Sequence, residues 1–223
     1  MSAQQPTVTV ELAIPQPRPI TVDPNKTALV IIDMENDFAK PEGVTYGSPR
    51  RGAVIGPIQR LLARCREAAL PVIYVQSIRY PDSPEFTTFG KPPFILAGTW
   101  GSQIVEELTP LPSEPVVEKN SHDCFNNTRL EQLLAERGIV PREWTIIVVG
   151  LGLTNCVSCA ISGFSVRSYW VVVPMDCTAS RTREEELCQY QRFMQPGYNY
   201  NVLLTQSELI EIGARALAGA TSA

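Results

Sequence analysis

The sequence is nearly devoid of histidine: among its 223 residues only one is present, His122. A zinc site with several histidine ligands is therefore excluded within this sequence, and we expect no metal site. A Ser–His–Asp or Cys–His catalytic arrangement would have to include His122 itself. The chain is best searched for catalytic groups other than histidine.

Long apolar runs and a basic excess are also missing. No apolar run approaches the roughly 20 residues of a membrane-spanning helix, and residues 1–23 lack the basic start and apolar stretch of a secretory signal. The net charge of −4 offers no broad basic field to nucleic acid. We therefore expect a cytoplasmic protein that binds neither membrane nor nucleic acid.

Six cysteines are spread over segments that otherwise resemble core strands and helices. This spacing is unlike the disulfide framework of a small secreted domain and indicates a reducing compartment. Cys156 and Cys159 form a Cys-x-x-Cys pair, so thiol–disulfide exchange is one alternative function to be tested. A non-catalytic binding scaffold is another.

The distribution of apolar residues predicts alternating strands and helices. Buried strands of a parallel sheet are predicted at residues 27–33, 72–78, 115–118, 145–151 and 169–175. Helical periodicity is found at residues 54–69, 127–137, 157–167, 183–193 and 206–218. The alternation predicts one doubly wound, three-layer α/β/α domain over residues 26–223, of the Rossmann-like type. The prolines of residues 1–25 predict an extended arm before it.

Three candidate catalytic side chains follow apolar runs, namely Asp33, Lys119 and Cys156. The carboxyl ends of parallel strands meet at one edge of a sheet, where ligands bind. Cys156 follows a glycine-bearing turn and opens a predicted helix, whose free amides favour a thiolate and an oxyanion. Asp33 can take the thiol proton, and a buried Lys119 would stabilise both charges. Singly, the three could instead be a core cysteine, a loop-capping acid and a surface lysine.

Further residues are candidates for substrate contacts: Phe38, Arg79, Trp100, Asn120, His122 and Phe125. Arg79 follows the second predicted strand, and its planar fork suits a substrate carboxylate, although a surface arginine is an equal alternative. Trp100 is as well suited to a subunit contact as to a pocket wall. His122, close after Lys119, is a candidate second proton carrier or substrate contact.

Five segments of the chain resemble, in order, the motifs of the isochorismatase-like hydrolases. They are residues 29–38, 97–105, 119–130, 150–157 and 176–179, and the resemblance extends from residue 27 to residue 212. It implies a six-stranded, mostly parallel sheet and a triad of Cys156, Asp33 and Lys119. It also implies a homo-oligomer, either a dimer or a tetramer.

The resemblance has consequences for the nucleophile turn as well. It implies a cis peptide bond at Leu151–Gly152, which would aim the amides of Leu153 and Cys156 at the oxyanion. Leu153 departs from the family pattern, which usually has threonine there. Residues 77–83 contain no histidine, whereas the nicotinamidases of this superfamily carry a histidine metal site after the second strand, so a metal-bound nicotinamidase is not expected.

The activity implied by the resemblance is hydrolysis of a C–N bond by a cysteine nucleophile. Isochorismatases proper often lack this cysteine, so its presence favours an amidohydrolase, with an isochorismatase-type reaction as the alternative. The expected substrate is a small amide or N-carbamoyl compound, such as N-carbamoylsarcosine, ureidoacrylate or biuret. The reaction would proceed through a thioester-like intermediate and needs no cofactor.

Overall fold

The apolar runs form a parallel sheet that is covered on both faces. The structure is a computed structural model that describes residues 9, 11, 13–195 and 201–213. Its strands are β1 (Ile20–Val22), β2 (Thr27–Ile32), β3 (Val72–Ser77), β4 (Val116–Lys119), β5 (Thr145–Leu151), β6 (Trp170–Pro174), β7 (Thr178–Ala179), β8 (Val202–Thr205) and β9 (Ile210–Ile212). All six side chains of β2 are buried, because this strand lies in the middle of the sheet, between β3 and β5.

The main sheet has the order β4-β3-β2-β5-β6-β8, and all of its strand pairs are parallel. The predicted sheet of six parallel strands is thus confirmed, with the two-residue β7 added as a seventh strand beside the end of β5. The strand order changes direction between β2 and β5. The chain continues from β2 through β3 to β4 on one side of this point, and from β5 through β6 to β8 on the other. Ligands bind beyond such a switch point in doubly wound sheets.

Seven α-helices are found in the described residues. They are α1 (Asn36–Ala39), α2 (Pro49–Ala53), α3 (Ile55–Glu67), α4 (Pro84–Thr87), α5 (Leu130–Glu136), α6 (Ser158–Val166) and α7 (Arg183–Phe193). The prediction for α7 agrees with the structure at both ends. Its start is fixed by a capping box that Thr182 and Glu185 form. None of the described helices is long and apolar enough to cross a membrane.

Two apolar clusters separate the sheet from its two helical layers. Alternate residues of β2 point to opposite faces, so Val30 packs in one cluster and Ile31 in the other. The first cluster includes Leu133 of α5 and Phe164 of α6, and the second includes Leu62 of α3. The three-layer α/β/α arrangement is therefore confirmed.

The end of the chain differs from the prediction. A helix was expected over residues 206–218, but Ser207–Leu209 forms one turn of 3-10 helix and is followed by β9; residues 214–218 lie outside the described residues. Ile210 is buried while Glu211 is exposed, a period of two that fits a strand. β9 pairs with β1, within the segment expected to be an arm, and residues 13–19 contain no helix or strand.

Candidate active site

A buried ion pair lies at the carboxyl edge of the sheet. Lys119, the last residue of β4, donates from Nζ to Asp33 Oδ2 at 2.9 Å, to Ser77 Oγ at 2.7 Å and to the Ser121 carbonyl at 3.0 Å. The ammonium therefore uses all three of its protons. Ser77 is the last residue of β3, which lies between β2 and β4 in the sheet. Its hydroxyl donates to Asp33 Oδ1 at 3.0 Å. The side chains of Lys119 and Asp33 are 0% and 2% exposed, so the pair is shielded from solvent.

Electrostatics keep the Lys119 ammonium charged. Burial is the largest single effect and lowers the pKa of Lys119, but the charge and hydrogen bond of Asp33, together with Cys156 and Glu35, outweigh it, so the pKa is raised above its ordinary value. Asp33 also has a φ of 52°, in the left-handed region that residues other than glycine rarely adopt. Strained backbone of this kind clusters at functional sites.

Cys156 is presented by an unusual turn after β5. Residues Leu153–Val157 form one turn of π-helix that continues into α6, and Cys156 is 9% exposed. The turn begins at Gly150, whose φ of 121° no other residue adopts easily. A Cβ on Gly150 would lie 1.9 Å from the Ile32 carbonyl oxygen, so the two neighbouring strand ends approach closely only because residue 150 is glycine.

The cis peptide bond expected at Leu151–Gly152 is absent: every peptide bond of the described residues is trans. The turn is instead made by the unusual backbone angles of its glycines, with φ 121° at Gly150 and φ 1° at Gly152. A trans bond avoids the cost of about 2.5–4 kcal/mol that a cis bond carries outside proline. The amide of Thr154 donates to Ser180 Oγ at 3.1 Å, and so is already occupied.

Cys156 is a thiol rather than a preformed thiolate. Burial and then the charge of Asp33 raise its pKa above the ordinary value, while Lys119 acts in the opposite direction. The expectation that the helix N-terminus would lower this pKa is therefore wrong for the free protein. His122 Nδ1 lies 3.3 Å from Cys156 Sγ, so the only histidine of the sequence contacts the candidate nucleophile.

Glu35 is a buried carboxyl group that the sequence did not single out. Its Oε1 accepts a 2.6 Å hydrogen bond from the Ser77 amide, and its Oε2 has no partner among the described residues. Burial and, secondarily, the charge of Asp33 raise the pKa of Glu35 well above its ordinary value. Both effects therefore disfavour the ionised form of Glu35, which lies beside the Asp33–Lys119 pair.

A cavity of about 170 Å³ opens at this edge of the sheet. It is lined by Asp33, Phe38, Arg51, Ser77, Arg79, Glu85, Lys91, Phe94, Ile95, Ser121, His122, Leu151, Gly152, Asn155 and Cys156. Three of the predicted substrate contacts, Phe38, Arg79 and His122, are in this lining. Their contact with substrate stays a prediction.

The other three predicted contacts, Trp100, Asn120 and Phe125, lie outside the cavity lining. Phe125 packs edge-on against Phe164 of α6, with ring centroids 4.9 Å apart, and belongs to the hydrophobic core. Trp100 is 48% exposed, and Asn120 is also on the surface. A subunit contact through Trp100 stays a prediction.

Asp37 has a purely structural environment. Its Oδ2 accepts from the Ile95 amide at 2.6 Å, and its Oδ1 from the Val44 amide at 3.1 Å. These bonds fix two loops beside the cavity. Among the described residues there is no group of three or more histidine, cysteine or acidic side chains placed to hold a metal ion.

Comparisons with known proteins agree with the family resemblance. A sequence model of the isochorismatase domain matches residues 27–205. The ureidoacrylate amidohydrolase RutB of Pseudomonas syringae pv. syringae is 30% identical over 182 residues, which cover 71% of this chain and 73% of that protein. RutB of Methylobacterium radiotolerans is 28% identical over 186 residues, covering 73% of this chain and 70% of that protein.

Solved structures share the fold. N-carbamoylsarcosine amidase from Thermoplasma acidophilum superposes with a TM-score of 0.68 at 28% identity, over 82% of this chain and 97% of that one. An isochorismatase-like hydrolase from Alkaliphilus metalliredigens gives a TM-score of 0.72 at 25% identity, over 82% of this chain and 96% of that one. The chain therefore belongs to the isochorismatase family.

Proposed function

We propose that this chain is a cysteine-dependent amidohydrolase that cleaves the C–N bond of a small amide or N-carbamoyl compound. The observation that carries the proposal is the buried Asp33–Lys119 ion pair beside a cavity into which Cys156 opens. A nucleophile, a proton acceptor and a fixed cation within one enclosed site are what acyl transfer requires. The names of the similar proteins, ureidoacrylate amidohydrolase and N-carbamoylsarcosine amidase, support the choice of bond.

The proposed reaction begins with transfer of the Cys156 proton to Asp33. The thiolate sulfur attacks the carbonyl carbon, and the amides of the turn formed by Leu151, Gly152 and Leu153, with that of Cys156, stabilise the oxyanion. When the C–N bond breaks, the nitrogen leaves as ammonia or an amine after taking the proton from Asp33. Water, deprotonated by Asp33, then cleaves the thioester, and the proton returns to the thiol.

Because the pKa of Cys156 is raised, we propose that Asp33 removes the thiol proton. A thiol that holds its proton at neutral pH reacts slowly, so the proton must be removed as the substrate binds. Lys119 remains an ammonium throughout and stabilises the negative charge as it moves between the carboxylate and the sulfur. Its three hydrogen bonds keep it from moving during the reaction.

Ammonia release from a panel of small amides tests the proposal. The panel contains N-carbamoyl amino acids, ureidoacrylate, biuret, maleamate and nicotinamide. Wild type should hydrolyse at least one, and Cys156→Ala should lower kcat by about 10³-fold or more, because the covalent route is lost.

Cys159→Ala is the matched control, since Cys159 is also a free cysteine and lies three residues further along the same helical segment. It should retain activity. A wild type inert across the panel would refute the substrate class, and activity without Cys156 would refute the mechanism. Loss of activity in Cys159→Ala would instead favour thiol–disulfide exchange.

A further inference from the structure

Arg51 is a buried arginine in the cavity lining. It lies in the short helix α2 and is 9% exposed. Its Nη1 donates to the carbonyls of Thr45 and Tyr46, and its guanidinium lies 5.5 Å from the centroid of the Phe38 ring. The side chain is therefore held in place from one edge and one face.

The other edge of the same guanidinium is free. Arg51 Nε is buried and has no hydrogen-bond partner among the described residues. Its Nη2 is directed at the nucleophile turn, 3.8 Å from where a Cβ on Gly152 would lie. Nε and Nη2 donate in parallel from one edge of a guanidinium, and a buried donor left without an acceptor is costly. An acceptor with two oxygens would satisfy both.

Two other arginines of this chain show which group the Nε–Nη2 edge of a guanidinium binds. Arg50 holds Glu186 through Nε at 2.9 Å and Nη2 at 2.5 Å. Arg66 holds Glu114 through Nε at 2.8 Å and Nη2 at 2.7 Å. Both are bidentate pairs of the kind that arginine forms with carboxylates. Arg51, beside the cavity, carries the same pair of donors without a carboxylate partner.

Arg79, the arginine expected from the sequence to bind a carboxylate, is already engaged. Its Nε donates to Glu85 Oε1 at 2.7 Å and its Nη1 donates to the Ile78 carbonyl at 3.0 Å. The cavity acid Asp33 is likewise paired, with Lys119. Among the described charges that line the cavity, Arg51 thus combines a rigid position with an Nε–Nη2 edge that has no acceptor among the described residues.

We propose that Arg51 binds a carboxylate of the substrate, so that the natural substrate is a small amide that also carries an acidic group. This inference rests on the proposed function and narrows it to carboxylated amides. The cavity of about 170 Å³ is smaller than the roughly 300–1,000 Å³ of pockets for drug-sized ligands. It suits a molecule in which the carboxylate and the scissile amide are only a few atoms apart.

Alkylation of Cys156 tests the anion site without any knowledge of the substrate. Iodoacetate and iodoacetamide attack the same sulfur and differ only in carrying a carboxylate or a carboxamide. The ratio of their rates at Cys156, followed by peptide mass spectrometry, should fall about tenfold in Arg51→Gln. It should be unchanged in Arg60→Gln, the control, which removes one positive charge from the exposed surface of α3, outside the cavity lining. Because both reagents probe the same protein, the ratio is insensitive to a general loss of folded enzyme.

An unchanged ratio in Arg51→Gln, or an equal fall in Arg60→Gln, would overturn the inference even if amide hydrolysis is confirmed. On a substrate pair such as an N-carbamoyl amino acid and its neutral amide, Arg51→Gln should raise KM about tenfold or more for the acid only. Equal losses on both would likewise refute carboxylate binding by Arg51. Failure of the proposed function would appear separately, as wild type inert on every amide while the alkylation ratio still responds to Arg51.

Discussion

Two regions of the site receive acidic side chains from one five-residue segment, and they use them differently. In the strand-end region, Asp33 faces a cation and a thiol, with Ser77 and Lys119 as its partners. In the loop region, Asp37 accepts only backbone amides, from Val44 and Ile95. Both carboxylates are buried. An acid whose partners can exchange protons with it is suited to chemistry, and one that is surrounded by amide donors is suited to holding loops.

The largest effect expected from this comparison is on the activity of Asp33→Asn. An amide cannot accept the thiol proton, so kcat should fall by about 10³-fold or more. The Lys119 ammonium would also lose its counter-ion, at a cost of roughly 3–5 kcal/mol in the free energy of unfolding. Steady-state kinetics and urea unfolding measure the two effects. An Asp33→Asn enzyme with near wild-type kcat would remove Asp33 from the mechanism.

The substitution Asp37→Asn should have the opposite profile. The new carboxamide would turn an NH₂ group towards one of the two backbone amides, that of Val44 or that of Ile95, and would lose the charge that strengthens both bonds. The free energy of unfolding should fall by about 2–3 kcal/mol. The kcat of the folded fraction should stay within a few-fold of wild type. A loss of activity as large as that of Asp33→Asn, without loss of stability, would contradict the division between the regions.

Gly101 provides a steric test of the loop region. A Cβ on this residue would lie 2.3 Å from Asp37 Oδ2, so Gly101→Ala must displace the carboxylate or the loop. We expect a cost of about 2 kcal/mol, as for other overpacked sites. Gly56→Ala is the control, because the nearest atom to its Cβ is the flexible end of Arg60 at 3.5 Å and alanine favours helix α3. Equal effects in the two variants would show that Gly101 is not closely packed.

The two regions were not equally predictable from the sequence. Asp33, Lys119 and Cys156 each follow an apolar run, and parallel strands bring such positions together whatever lies between them. Arg51 had no comparable signal, because α2 has five residues and no apolar period. The prediction that Phe125 lines the pocket was wrong for a related reason. An aromatic residue near a strand end suits a pocket wall and a core equally, and only its packing against Phe164 distinguishes the two.

Backbone interactions account for the remaining differences. Residues 206–213 have a helix-start signal, yet Ile210 and Ile212 pair with β1 at a distant part of the chain. Tertiary pairing of this kind overrides local preference and cannot be read from a short window. The turn after β5 also involves a distant part of the chain, because a Cβ on Gly150 would meet the Ile32 carbonyl oxygen.

In the strand-end region, replacing His122 should have a smaller effect on the kinetics than replacing Asp33. Its Nδ1 is 3.3 Å from Cys156 Sγ, so it can carry a proton or only contact the substrate. His122→Asn keeps a polar atom near the position of Nδ1 but cannot transfer protons at neutral pH. If His122 carries a proton, kcat should fall about tenfold with KM little changed and an altered pH profile. A rise in KM alone would assign His122 to substrate contact.

The smallest effect, on the free energy of unfolding, should come from replacing Glu35, which lies between Asp33 and Asp37 in the sequence. Its pKa is raised above 4.5 in the folded state, so the unfolded chain releases this proton at a lower pH than the folded protein does. Stability linked to Glu35 is therefore present below about pH 4.5 and is lost as the pH rises towards its folded pKa. Glu35→Gln keeps the carbonyl acceptor for the Ser77 amide and removes the titration.

The variant should then be as stable as wild type at pH 7, or more stable by about 1 kcal/mol, since a buried group that resists ionisation is replaced by a neutral one. Urea unfolding at several pH values between 4 and 8 measures this, and the stability difference from wild type should grow with pH. A variant that is less stable than wild type by the same amount at every pH would show that Glu35 acts through packing and hydrogen bonding, not through its charge.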